Sequence, residues 1–130
     1  MSRARALRTK PMKPYPTTIN LRTLSRVLHV EFDDGAGFDL PCEYLRVYSP
    51  SAEVKGHGPG QGVLQTGKEN VNIREIEPVG NYAVKLHFDD GHDTGLYSWE
   101  YLYELGRHQG QYWQNYLAAL HAAGYERKPQ

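Results

Sequence analysis

The chain repeats itself once, and that repeat limits the folds open to it. In the first copy Val27, Leu28 and Val30 lead into Phe32-Asp33-Asp34-Gly35, then Phe38-Asp39-Leu40 and Glu43-Tyr44-Leu45. In the second, Ala83, Val84 and Leu86 lead into Phe88-Asp89-Asp90-Gly91, then Leu96-Tyr97-Ser98 and Glu100-Tyr101-Leu102. An apolar run entering Asp-Asp-Gly reads as a strand ending in a turn. Asp accepts a local hydrogen bond there, and Gly takes the positive φ of a tight hairpin. A second short strand follows, and the chain then enters a helix. Leu40-Pro41 marks the entry in the first copy and Ser98, a candidate N-cap, in the second. Each copy, Val27–Tyr48 and Ala83–Leu105, is thus a hairpin followed by a helix. Neither buries its apolar face alone, so the expected fold is a single α+β domain. Its twisted, mostly antiparallel sheet is built from the two units, with helices on one face.

The rest of the chain of 130 residues divides around these copies. Residues 1–15 read as a disordered basic tail, 16–124 as the domain and 125–130 as a second disordered tail. Thr17 to Leu21 alternates like an opening strand, turned by Leu24 and Ser25, and Val71, Ile73 and Ile76 suggest another, ended near Pro78. Gly80-Asn81 turns the chain into the second copy. Gly106 is expected to close one helix and Gly110 to precede another, in which Trp113, Tyr116, Leu117 and Leu120 share a face. Ser49 to Asn70 has no periodicity and is rich in glycine, a length of loop that is usually functional or mobile.

Composition narrows the function classes. Net charge is zero, so the total gives no reason to expect nucleic acid as a partner. Five of the fifteen basic residues, Arg3, Arg5, Arg8, Lys10 and Lys13, fall in the acid-free first fifteen residues, which leaves the body net acidic. The single cysteine, Cys42, excludes an internal disulfide and fits a reducing cytoplasm. No apolar run approaches the roughly twenty residues of a spanning helix. Ten tyrosines against three phenylalanines suggest many half-exposed rings with a polar end.

Several stretches invite a chemical reading. Gly62-Val63-Leu64-Gln65-Thr66-Gly67-Lys68-Glu69 matches a phosphate-binding loop except at its last position, where Glu69 replaces the magnesium-binding hydroxyl and brings negative charge to phosphates. His87-Phe88-Asp89 has the local form of a facial iron motif, yet it sits inside the repeat, where the first copy has Glu31 in place of His87. Cys42, His57 and His92 are not at ligand spacing for a metal. A thiol at a helix start would have a slightly lowered pKa, but no base or oxyanion hole is marked beside Cys42. The paired acids Asp33-Asp34 and Asp89-Asp90 read as turn chemistry before calcium ligands. Trp99, Tyr101, Trp113 and Tyr116 read as core before a binding face.

The segments Leu28-His29-Val30-Glu31-Phe32-Asp33-Asp34-Gly35, Leu40-Pro41, Glu43-Tyr44-Leu45-Arg46 and Ser49-Pro50-Ser51 resemble the N-terminal domain of γ-butyrobetaine hydroxylase and its small bacterial relatives. The resemblance runs from about Pro16 to Leu120. In the hydroxylases it implies a domain that precedes an iron- and 2-oxoglutarate-dependent oxygenase and holds a structural zinc on three cysteines and one histidine. Carried onto this chain, those positions are Ser49, Ser51, Val54 and His92, so the resemblance implies a zinc site that is lost. A similar domain in ATPases with iron–sulfur clusters makes zinc or iron binding, or cluster handling with Cys42 in a shared site, the alternative. The reading is a non-catalytic cytoplasmic binding or adaptor module with no cofactor. Another protein is its expected partner, and neither a membrane nor nucleic acid is. The candidate interaction loop comprises Gly56, His57, Gly58, Gly60, Gly62 and Lys68, beside the corner where Ser49, Ser51 and His92 are expected to meet.

Overall fold

A computed structural model describes residues 13–55 and 62–128. The described residues form strands β1 (Pro16–Arg22), β2 (Val27–Phe32) and β3 (Gly37–Pro41), helices α1 (Cys42–Val47) and α2 (Ala52–Lys55), strands β4 (Ile73–Val79), β5 (Ala83–Phe88) and β6 (Leu96–Ser98), and helices α3 (Trp99–Arg107) and α4 (Gln109–Ala122). The class is α+β. The strands form two antiparallel three-stranded sheets, ordered β1-β2-β3 and β4-β5-β6, rather than one continuous sheet. One core joins them. Alternation along each strand sends Leu28, Val30 and Leu40 from the first sheet and Ile73, Leu86 and Tyr97 from the second into the same cluster, with Leu45, Leu102 and Leu105 from the helices.

The repeat is larger than its sequence signature. The two turns match bond for bond: Asp34 Oδ1 accepts from the Ala36 amide at 2.9 Å, and Asp90 Oδ1 from the His92 amide at 3.1 Å. Gly35 and Gly91 take φ of 90° and 92°, the left-handed conformation that a side chain would strain. The match extends upstream, where the Asp33 amide bonds the Tyr15 carbonyl and the Asp89 amide the Asn72 carbonyl, both at 2.9 Å. β1 and β4 are therefore equivalent strands. Both shift register at their starts, between Pro16 and Thr18 and between Ile73 and Glu75. Each unit is thus a three-stranded meander followed by a helix, with α1 equivalent to α3.

Pro41, in extended conformation with no amide hydrogen to lose, leads into α1, and the Ser98 hydroxyl caps α3 by accepting from the Tyr101 amide at 3.1 Å. Two glycines differ from expectation. Gly106 lies inside α3, where a Cβ would strike the ring of Phe38; it permits close helix-to-strand approach instead of stopping the helix. The break comes at His108, and Gly110 lies within α4. Residues 125–128, read as part of a tail, fold back onto the domain. The Tyr125 hydroxyl and the Lys128 amide donate to Glu69 Oε2 at 2.8 and 2.6 Å. Residues 1–12, 56–61 and 129–130 lie outside the described residues.

Candidate functional site

The corner predicted around Ser49, Ser51 and His92 forms because α1 ends at Val47 and the chain turns through Pro50 into α2, beside the second Asp-Asp-Gly turn. Ser49 and His92 are almost fully buried, at 1% and 7% exposure. The Ser49 Oγ lies 2.8 Å from His92 Nε2, and Glu53 Oε1 lies 3.2 Å from His92 Nδ1. The carboxylate fixes the ring's proton on Nδ1, so Nε2 accepts from the Ser49 hydroxyl. That hydroxyl in turn accepts from the Ser51 amide at 3.2 Å, and Ser51 Oγ pairs with Thr94 Oγ1 at 2.7 Å. A Cβ on Gly95 would collide with Ser49 Oγ. Burial, helped by the Arg46 guanidinium, holds the His92 pKa below its ordinary value against the pull of Glu53 and Asp90. Val54 is buried, and its carbonyl accepts from the Val63 amide at 2.8 Å.

At the positions where the resemblance implies zinc ligands the donor set is therefore one imidazole, two hydroxyls bonded to neighbours and a hydrocarbon. Neutral hydroxyls are poor zinc ligands beside thiolates. Among the described residues no group of three or more His, Cys, Asp or Glu side chains is placed to hold a metal ion.

Beside the corner, Arg46 is buried, with its Nε donating to Asp90 Oδ2 at 2.9 Å and its Nη1 without a hydrogen-bond partner among the described residues. Lys68 Nζ reaches the same oxygen at 2.6 Å. Burial alone would raise the Asp90 pKa, but Lys68, the His92 amide and Arg46 outweigh it and bring it to about 2. Lys68, expected in an interaction loop, thus serves as half of a clamp on the second turn. Lined also by Ser49, a cleft of about 610 Å³ opens between α2, the irregular residues 62–65 and α4. Val47, Val54, Val63, Leu64, Tyr116 and Ala119 give it apolar walls, and Lys55 stands at its edge with Nζ 5.0 Å from the Tyr101 ring centre. Tyr116 fixes one wall by donating to the Gln65 carbonyl at 2.6 Å. Gly62 also lines this cleft, whereas Gly56, His57, Gly58 and Gly60 fall outside the described residues.

The other sequence candidates resolve into structure. Cys42 has no exposure, and burial raises its thiol pKa to about 11, which reverses the expectation of a thiol activated at a helix start. Its helix is a single short one, and desolvation of a thiolate far outweighs the dipole. The phosphate-loop match leads into no helix: residues 62–66 have no regular secondary structure, and Glu69 is buried under Tyr125 and Lys128. His87 Nε2 pairs with Glu77 across the strands at 2.9 Å, and Asp89 Oδ1 accepts from the Asn72 amide at 3.1 Å. Neither is left as an open ligand. Trp99, Tyr101 and Trp113 pack against the first core cluster, and Tyr116 is buried in the second, as a core reading requires. Glu53, Thr94 and the Arg46–Asp90–Lys68 clamp were not apparent from the sequence. They are polar residues in segments without periodicity or with an ordinary helical surface pattern, so only proximity marks them.

A family model described as gamma-butyrobetaine hydroxylase-like, N-terminal, matches residues 19–103. An NMR solution structure of a protein 57% identical covers 94% of this chain and 89% of its own, with a TM-score of 0.77. A second NMR solution structure is 50% identical over 92% of this chain and 94% of its own, at 0.78. A 1.93 Å crystal structure of a protein with unknown function of the DUF971 family, from Acidithiobacillus ferrooxidans ATCC 23270, is 44% identical. It covers 70% of this chain and 91% of its own, with a TM-score of 0.59. No curated protein matches the chain. No helix among the described residues is long and apolar enough to cross a membrane. With the matched fold, turns and corner in place, the chain belongs to the gamma-butyrobetaine hydroxylase-like N-terminal domain family.

Proposed function

We propose that this chain is a non-catalytic binding or adaptor module of the cytoplasm, with its family's zinc site lost and another protein as its partner. Its working surface is the cleft between α2, residues 62–65 and α4, which Ser49 of the buried corner also lines. The observation that carries this reading is the cleft's combination of apolar walls and exposed apolar rim: Val63 and Leu64 are 55% and 38% exposed. Exposed apolar side chains around a concave surface favour an occupant. The corner supports a structural role, since its imidazole and hydroxyls spend their hydrogen bonds on one another. Cluster handling through Cys42 has less support, because a thiol buried without exposure has no path to a shared site.

A photo-crosslinking residue at Val63, expressed in the native host, tests the interaction reading. One partner species, captured from Val63 but not from the solvent-facing Glu75 and lost in Leu64→Asp, is the expected result. Equal labelling at both positions overturns it. Elemental analysis of the purified protein tests the lost site. The expected result is no stoichiometric zinc or iron, and bound metal that disappears in His92→Ala returns the chain to metal handling.

A further inference from the structure

In the first turn of α1, Glu43 is buried, its side chain 7% exposed. It belongs to the Glu-Tyr-Leu triplet, whose equivalent in the second copy is Glu100. Glu100 is 46% exposed and pairs with the solvated Lys13 at 3.3 Å, so the repeat itself does not require this glutamate to be buried. A buried carboxylate is costly unless a cation and hydrogen bonds compensate it. Here the compensation comes from Arg127, beyond the last helix. Its Nε donates to Oε2 at 2.9 Å and its Nη2 to Oε1 at 2.5 Å, a two-pronged fork. Its guanidinium carbon stands 5.3 Å from the ring centre of Trp113. Carboxylate fork and aromatic face together select a planar guanidinium over a compact ammonium.

The site is roomier than its occupant. A cavity of about 700 Å³ lies alongside, walled by Pro41, Tyr44, Gly110 and Trp113, with the Gln114 amide at its edge. Arg127 is carried on a short segment after Gly124, which takes φ of 77°. The segment is also anchored by the bonds of Tyr125 and Lys128 to Glu69, by the Tyr125 amide on the Leu120 carbonyl at 2.9 Å and by the Tyr125 ring packed against the cluster of Val47, Tyr116 and Leu120.

We propose that the Glu43–Trp113 cavity is a recognition site for an arginine side chain presented by another polypeptide, with Arg127 as its internal occupant. The flanking space would receive the residues on either side of the incoming arginine. The C-terminal segment competes as a tethered ligand, at the millimolar effective concentration typical of a short link. The site thus opens only to a partner that outbids it. This surface is distinct from the cleft beside Val63, so the two readings stand or fall separately.

The test uses the full chain and two blocked peptides, acetyl-Gly-Arg-Gly-amide and acetyl-Gly-Lys-Gly-amide, titrated by heteronuclear NMR. Arg127→Ala should bind the arginine peptide at least about tenfold more tightly than the unaltered chain, with shifts centred on the Trp113 indole. It should discriminate against the lysine peptide, and Glu43→Gln on that background should abolish binding. Equal affinity of Arg127→Ala and the unaltered chain, or equal binding of the two peptides, overturns the proposal. Because Arg127→Ala exposes a buried charge, its thermal midpoint is read in parallel. Ethylguanidinium at millimolar concentration should raise that midpoint more than ethylammonium does. Equal effects of the two cations count against the site even where the variant is too unstable to titrate.

Discussion

The Tyr44 hydroxyl donates a 2.6 Å hydrogen bond to the carbonyl of Leu105, near the end of the helix in the other copy. The equivalent tyrosine, Tyr101, donates at 2.6 Å to the carbonyl of Tyr48, which is the equivalent of Leu105. Each unit therefore satisfies a carbonyl at its neighbour's helix end, where no intrahelical donor remains. The turns cross in the same way, Asp90 taking Arg46 and Asp34 taking the equivalent Tyr103. The interface between copies is an approximate two-fold exchange of polar contacts around the apolar core.

Replacing Tyr44 or Tyr101 by Phe leaves the ring and orphans a carbonyl. Each variant is expected to lose about 1–2 kcal/mol in urea unfolding. Similar losses for the two would confirm that both halves of the exchange contribute. A neutral Tyr44→Phe would show that water satisfies the Leu105 carbonyl instead.

Gly106 and Gly110 both lie in helices, yet alanine should act on them with opposite signs. Gly106→Ala drives a methyl into the Phe38 ring and should cost about 1–3 kcal/mol. A Cβ at Gly110 meets nothing within 4 Å, so Gly110→Ala should gain up to about 1 kcal/mol from helix propensity. Thermal midpoints of the two single variants, moving down and up respectively, check the pair.

Cys42 should be inert in the folded protein. With its pKa raised from 9.0 to about 11, ionisation alone lowers the thiolate fraction at pH 8 roughly a hundredfold. Iodoacetamide labelling should accelerate only as urea populates the unfolded chain. Fast labelling in buffer, at the rate of a free thiol, would contradict the buried placement.

His29 should give the protein a pH-dependent component of stability. Its ring bonds Glu31 at 2.8 Å and Asp39 at 2.6 Å, and these bonds raise its pKa above 6.5 against burial and Arg22. A raised folded value means the stabilisation is fully present below the unfolded value of 6.5 and is lost as pH climbs through the folded one. The amount is under about 1 kcal/mol because the group is screened by solvent. Urea midpoints of the wild type and His29→Gln should converge as the pH rises above 6.5, and a constant gap would reject the assignment.

The parts of this protein that could be read from residues alone are those governed by neighbours in the chain. Asp-Asp-Gly determines its turn because the side-chain acceptor, the amide and the left-handed glycine lie within three residues of one another. The Ser98 cap and the Pro41 helix entry are equally local, as is the spacing that sends Trp113, Tyr116 and Leu120 inward. The family likeness rests on these same segments, and through it the Ser49–His92 corner was foreseen. Three features depended on tertiary structure. β1 and β4 share little beyond the equivalent Ile19 and Ile76, so their equivalence shows in paired backbone bonds. Gly106 reads as a helix stop until Phe38, far off in sequence, presses against it. Cys42 and Glu43 look alike as residues at an exposed helix start, yet burial silences the thiol and obliges the carboxylate to find Arg127. Sequence by itself determined the turns, caps and amphipathic faces, since their energies come from residues a few positions apart. The tertiary structure alone decided which polar groups are desolvated and which distant charges must meet them, because desolvation belongs to the assembled core and to no single segment.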